Sequence, residues 1–144
     1  MDIRQITPRY AVSPQIDPED LGVIAAAGFT TVICNRPDEE VAPSHRADMV
    51  AEAAKAAGLA FHVLPLTHQT MTPENVALQR KLIEDSQGPV LAYCASGTRC
   101  SVVWSLGQAG HLSVDQIMQA TAAAGYDLAG LRPQLAALEA QGGV

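Results

Sequence analysis

The segment Val90-Leu91-Ala92-Tyr93-Cys94-Ala95-Ser96-Gly97-Thr98-Arg99-Cys100-Ser101 decides the fold of this chain and points to its chemistry. Four apolar residues follow the breaker pair Gly88-Pro89 and run straight into a cysteine, which reads as a buried strand ending at Cys94. Small residues and a glycine follow, and Arg99 opens a helical stretch. A loop that wraps an oxyanion must turn its backbone N–H groups inward, and bulky side chains would fill that concavity. Ala95, Ser96 and Gly97 are small, and Gly97 can take a positive φ. Inward N–H groups from Ala95 through Thr98 to Arg99 make a nest, and the helix N-terminus adds positive potential. Arg99 supplies a planar, bidentate charge. These same features depress the pKa of a thiol, ordinarily about 8.5. Cys94 is therefore expected to be a nucleophile, with Ser101 or Thr98 as hydrogen-bond donors to its sulfur.

Outward from this loop, apolar runs alternate with amphipathic stretches. Tyr10–Ser13, Thr30–Cys34 and Ala60–Leu66 read as further strands. Helices are expected from about Pro18 (with Asp17 as N-cap) to Gly28, over Pro43–Ala57, and from Pro73 (with Thr72 as N-cap) to Ser86. Three more are expected at about Arg99–Ala109, Ser113–Ala124 and Pro133–Gln141. The pattern is that of an α/β fold, a single domain over residues 1–144. It predicts a three-layer sandwich: a mostly parallel sheet of four to five strands with helices on both faces. Sites in such sheets lie beyond the carboxyl ends of the strands, where Cys34 and Cys94 both fall.

Bulk composition narrows the function. With 144 residues, 48% of them hydrophobic, the chain can bury a real core. A net charge of −6 and nine scattered basic residues argue against nucleic-acid binding. The longest nearly apolar stretch, Leu21–Cys34, contains glycines and threonines and falls short of the ~20 residues of a membrane span. An odd set of three cysteines and no leader-like N-terminus lead to the expectation of a reduced, cytoplasmic protein. No histidines and cysteines have metal-ligand spacing, so neither metal nor cofactor is expected. Cys34, His62 and Trp104 read as core or structural residues, and His45 and His111 as surface or capping residues.

Tyr93–Ser101, together with Arg36-Pro37-Asp38 and the Gly88–Tyr93 lead-in, resembles the phosphatase-like domain family of beta-lactamase hydrolase-like proteins. The fold of that family is similar to dual-specificity protein tyrosine phosphatases. The resemblance runs over Ile6–Ser13, Gly28–Glu39, Pro65–Glu74 and Gly88–Trp104. It implies that Cys94 is the nucleophile and Arg99 the anion-binding arginine. The family usually has arginine after the cysteine and serine after the loop arginine, where this chain has Ala95 and Cys100. One basic anchor is missing and a second thiol is present.

Two features favour sulfur transfer over phosphate transfer. The loop has four residues between Cys94 and Arg99, one fewer than in tyrosine phosphatases and similar to rhodanese-like sulfurtransferases. The segment Leu66–Thr72, where such phosphatases usually carry an acidic proton donor, has no carboxylate. The leading expectation is a sulfurtransferase that carries a sulfane sulfur as a Cys94 persulfide between a small anionic donor and a thiol acceptor. Its rival is a phosphatase acting on a phosphoester through a Cys94 phosphoenzyme, with His68 or water as acid. Asp38 or Glu39 is a further acidic candidate from the neighbouring strand end. Arsenate reduction is a more distant possibility, and a thiol sensor using Cys94 and Cys100 is the non-enzymatic one. Cys100 is either a resolving thiol or a small packing residue. The resemblance further implies a sulfide-oxidising partner enzyme.

Overall fold

In a computed structural model covering residues 1–144, five strands form one sheet in the order β1-β2-β5-β3-β4. β2 (Tyr10–Ser13), β5 (Val90–Tyr93), β3 (Thr31–Cys34) and β4 (Ala60–Val63) run parallel. β1 (Arg4–Thr7) is antiparallel to β2 at the edge, with an irregularity between Gln5 and Thr7. The sequence reading does not contain β1. Only Ile6 of its four residues is buried, so it has too little apolar periodicity to announce itself. The first expected helix also differs: Pro18–Asp20 is a 3₁₀ turn, and α1 is confined to Leu21–Ala26. Pro43–His45 is likewise a separate turn ahead of α2 (Ala47–Ala56). In both places a proline begins a short turn and the α-helix starts after it.

Strand alternation splits the core into two layers. Val90 and Ala92 of β5 face α3 (Pro73–Asp85), α4 (Thr98–Gln108), α5 (Val114–Ala123) and α6 (Arg132–Ala140). Leu91 and Tyr93 face the opposite side, against α1 and α2. β5, central in the sheet, is buried at every residue, which explains its unbroken apolar run. α4 lies inside the larger layer, with Cys100, Ser101, Val103, Trp104, Ser105, Leu106 and Gly107 all buried. Trp104 stacks on Tyr10 of β2 with ring centroids 6.3 Å apart. No helix is long and apolar enough to cross a membrane.

A buried polar chain ties these layers together beneath the strand ends. Asn35, just past β3, donates to Leu64 O at 2.9 Å and to Gln79 Oε1 of α3 at 3.0 Å. Gln79 Nε2 donates back to Asn35 Oδ1 at 3.0 Å and to the Tyr10 hydroxyl at 3.3 Å. Tyr10 in turn donates to the carbonyl of Cys100 at 2.8 Å. Such groups are costly to bury unless they are hydrogen-bonded, and these are. Replacing Gln79 by Leu leaves the Asn35 side chain short of partners and is expected to lower unfolding free energy by about 2 kcal/mol in urea titration.

Candidate active site

β5 delivers Cys94 to the carboxyl edge of the sheet, between Ser13 of β2 and Asn35 after β3, with its own N–H donating to Ser13 O at 3.3 Å. The chain then folds back over the sulfur. Gly97 takes φ +90°, and its N–H donates to Cys94 Sγ at 3.1 Å. Cys94 is completely buried, so the sulfur sits at the floor of the loop rather than on a cavity wall. Its pKa is lowered to about 5, chiefly by a hydrogen bond from the Cys100 thiol. Backbone N–H groups of Cys100, Ser96 and Gly97 act in the same direction, against the burial that opposes ionisation. The Cys100 thiol is pushed well above its ordinary value by burial, then by its bond to Cys94, and stays a protonated donor.

The expected donors to the sulfur, Ser101 and Thr98, serve other partners. Ser101 Oγ donates to Gly97 O at 2.8 Å, and Thr98 Oγ1 accepts from Ser96 Oγ at 3.0 Å. The reason is helical direction: Ser101 lies one turn after Gly97, and its hydroxyl reaches that residue's carbonyl instead of the sulfur. Ala95, Ser96 and Thr98 are exposed on the loop, and Gly97 is buried.

Arg99 rises from the first turn of α4 and is held by Glu40. Nη1 donates to Glu40 Oε2 at 2.8 Å and to Leu66 O at 2.9 Å, while Nη2 donates to Glu40 Oε1 at 2.6 Å. A guanidinium has five N–H donors. These bonds occupy one fork and the outer edge, leaving Nε–H and one Nη2–H as a second fork for an anion. Arg36 also reaches Glu40, with its Nε 3.3 Å from Oε1. Arg99 and then Arg36 hold the Glu40 carboxyl below the usual carboxylate range.

Glu40 is the site residue that the sequence reading missed. It follows Asp38 and Glu39 in a 3₁₀ turn, where successive side chains point in three different directions. Asp38, the expected candidate, instead accepts the N–H of Ala47 at the start of α2 at 2.8 Å. A run of three acidic residues signals that one can pair with Arg99, but only the turn selects which.

A cavity of about 630 Å³ opens beside the loop, lined by His68, Gln69, Met71, Thr98, Arg99 and Leu131 among others. His68 and Arg99 thus line the same cavity. A second cavity of similar size lies at the opposite end of β3 and β4, near Phe29, His62 and Ser86, remote from every loop residue. Cys34 is buried on the α1–α2 side of the sheet, apart from Cys94. All three cysteines are free.

Titration of the 240 nm thiolate absorbance, read against Cys94→Ser, is expected to show a group ionising at about pH 5. Cys100→Ala removes the leading stabilising bond and is expected to move that ionisation upward. Cys100→Ser restores a donor and is expected to return it most of the way.

The solved structure of a candidate phosphatase from Neisseria meningitidis is 36% identical, with a TM-score of 0.83, covering 94% of this chain and 96% of that one. Tk-PTP in its active form superposes with a TM-score of 0.75 at 17% identity over 97% of both chains, a likeness of fold. A beta-lactamase hydrolase-like protein from Xylella fastidiosa is 30% identical over 130 residues, 89% of this chain but 30% of that protein. The chain therefore spans less than a third of the length of that curated relative. The profile of the family "Beta-lactamase hydrolase-like protein, phosphatase-like domain" matches residues 2–111, and the chain belongs to that family.

Proposed function

We propose that this domain is a cysteine-dependent phosphatase that hydrolyses a phosphoester with an acidic leaving group. The observation that carries the proposal is the pairing of a depressed Cys94 thiolate with an Arg99 whose second fork is free. In the first step Cys94 Sγ attacks phosphorus, the P–O bond to the leaving group breaks, and the phosphoryl group becomes attached to sulfur. Water then attacks phosphorus, the S–P bond breaks, and the thiolate returns. Loop N–H groups and the free fork of Arg99 stabilise the equatorial oxygens through both steps. The cavity beside Arg99 accommodates the organic part of the ester.

Protonation of the leaving oxygen separates substrates. Glu40 is tied to two arginines and kept ionised, so it is a poor proton donor. His68 is the remaining titratable side chain on the cavity wall. A leaving group that departs as a stable phenolate needs little help, which favours aryl over alkyl phosphates. Membership of a phosphatase-like family supports this reading over sulfur transfer.

Sulfur transfer remains the second reading, favoured by the four-residue loop and by the absence of a carboxylate in Leu66–Thr72. There the Cys94 thiolate would take a sulfane sulfur from thiosulfate, release sulfite, and pass the sulfur to a thiolate acceptor.

Phosphate release from an aryl phosphate is expected to vanish in Cys94→Ser. Arg99→Lys is expected to lower kcat/KM by roughly 10²-fold, since a point charge replaces the fork. His68→Asn is expected to slow alkyl esters more than aryl esters. Intact-protein mass spectrometry after incubation with thiosulfate separates the two readings. A Cys94-dependent gain of one sulfur atom, with no phosphate release from any ester, would sink the phosphatase assignment.

A further inference from the structure

Tyr126 lies beyond α5, outside residues 2–111 that carry the family likeness, yet it touches the loop. Its hydroxyl donates to the carbonyl of Ser96 at 2.9 Å. That carbonyl and the Gly97 N–H belong to one peptide unit. A trans peptide is planar, and its C=O and N–H point in opposite directions; the chain has no cis peptide bond. The unit is therefore gripped from both sides, with Tyr126 on the oxygen and Cys94 Sγ, 3.1 Å away, on the nitrogen.

Glycine at position 97 leaves this peptide free to turn over, because φ of either sign is accessible there. In the flipped orientation the Ser96 carbonyl would face the thiolate, and the cradle would lose a donor and gain a repelling dipole. A side chain at Gly97 is excluded as well, since its Cβ would collide with the Tyr126 hydroxyl oxygen. Tyr126 is itself well seated. The Arg4 guanidinium lies 5.7 Å from its ring centroid, Arg4 Nη1 donates to Ala124 O at 3.1 Å, and Tyr126 N–H donates to Thr121 O at 2.9 Å. Burial raises the phenol pKa, so the hydroxyl keeps its proton as a donor.

We propose that Tyr126 is a positioning residue that locks the Ser96–Gly97 peptide in the orientation aiming the Gly97 N–H at the Cys94 sulfur. It acts through the loop backbone and touches no substrate. The inference rests on Cys94 being the reacting thiolate, as proposed above, but its readout needs no turnover.

The test is Tyr126→Phe in the full chain, which removes one oxygen and keeps the ring on Arg4. The 240 nm titration, each protein read against its own Cys94→Ser counterpart, is expected to shift upward by about one unit. Thermal melting is expected to stay near the parent value. The Gly97 amide resonance gives a second, direct reading: it should follow the Cys94 ionisation in the parent and lose most of that response in Tyr126→Phe. An unchanged Cys94 titration together with an unchanged Gly97 response in a folded Tyr126→Phe protein overturns the inference. A parent protein whose Cys94 fails to ionise below neutral pH would instead overturn the reading of the site itself.

Discussion

A thiolate buried at the end of β5 is the constraint on which the rest of the site depends. An ionised group out of reach of bulk water is unstable unless fixed donors replace its hydration. Here the Gly97 N–H donates directly to the sulfur, and the Cys100 thiol with the N–H groups of Cys100 and Ser96 lowers the cost of its charge. That requirement accounts for the left-handed glycine, the turn into α4 immediately after it, and the burial of Cys100 and Ser101 in its first turns. It also makes the second thiol intelligible. Burial of Cys100 keeps its thiol neutral, so that it acts as a donor toward its neighbour.

The donors stay in place because elements far apart in sequence hold them. Tyr10 of β2 grips the carbonyl of Cys100 and is itself held by Gln79 of α3, which pairs with Asn35 after β3. Tyr126, after α5, grips the loop from outside. Glu40 grips Arg99 from the turn after β3. Each contact fixes a dipole or charge before any ligand arrives, so little reorganisation is left for the binding step. An acidic protein thereby keeps a small electropositive site: its arginines are aimed by a carboxylate that consumes one fork and leaves the other.

Much of the architecture was legible because β5 and its loop are locally determined. An unbroken apolar run means a strand buried on both faces, and small residues before an arginine mean a nest at a helix start. The remaining parallel strands and the Thr72 cap followed from equally local signals, and Asn75 N–H does donate to Thr72 Oγ1 at 3.2 Å. β1 was not legible, since a short edge strand draws its order from pairing with β2 rather than from its own pattern. The strand expected over Ala60–Leu66 ends at Val63. Leu64 and Leu66 continue its hydrogen bonding to Cys34 and Asn35, but the backbone leaves strand geometry after Val63.

The sequence by itself determined where the cysteine, the small-residue loop and the arginine lie together, because they fall within six positions and the local chain must bring them into one place. Only the tertiary structure decided which carboxylate orients Arg99, which donor meets the Cys94 sulfur, and what holds the loop from outside. Glu40, Cys100 and Tyr126 were chosen by side-chain direction and by packing between distant elements. Direction within a helical turn changes by about 100–120° per residue. A composition of acids, thiols or hydroxyls near a motif therefore names the candidates, and the packed fold picks among them.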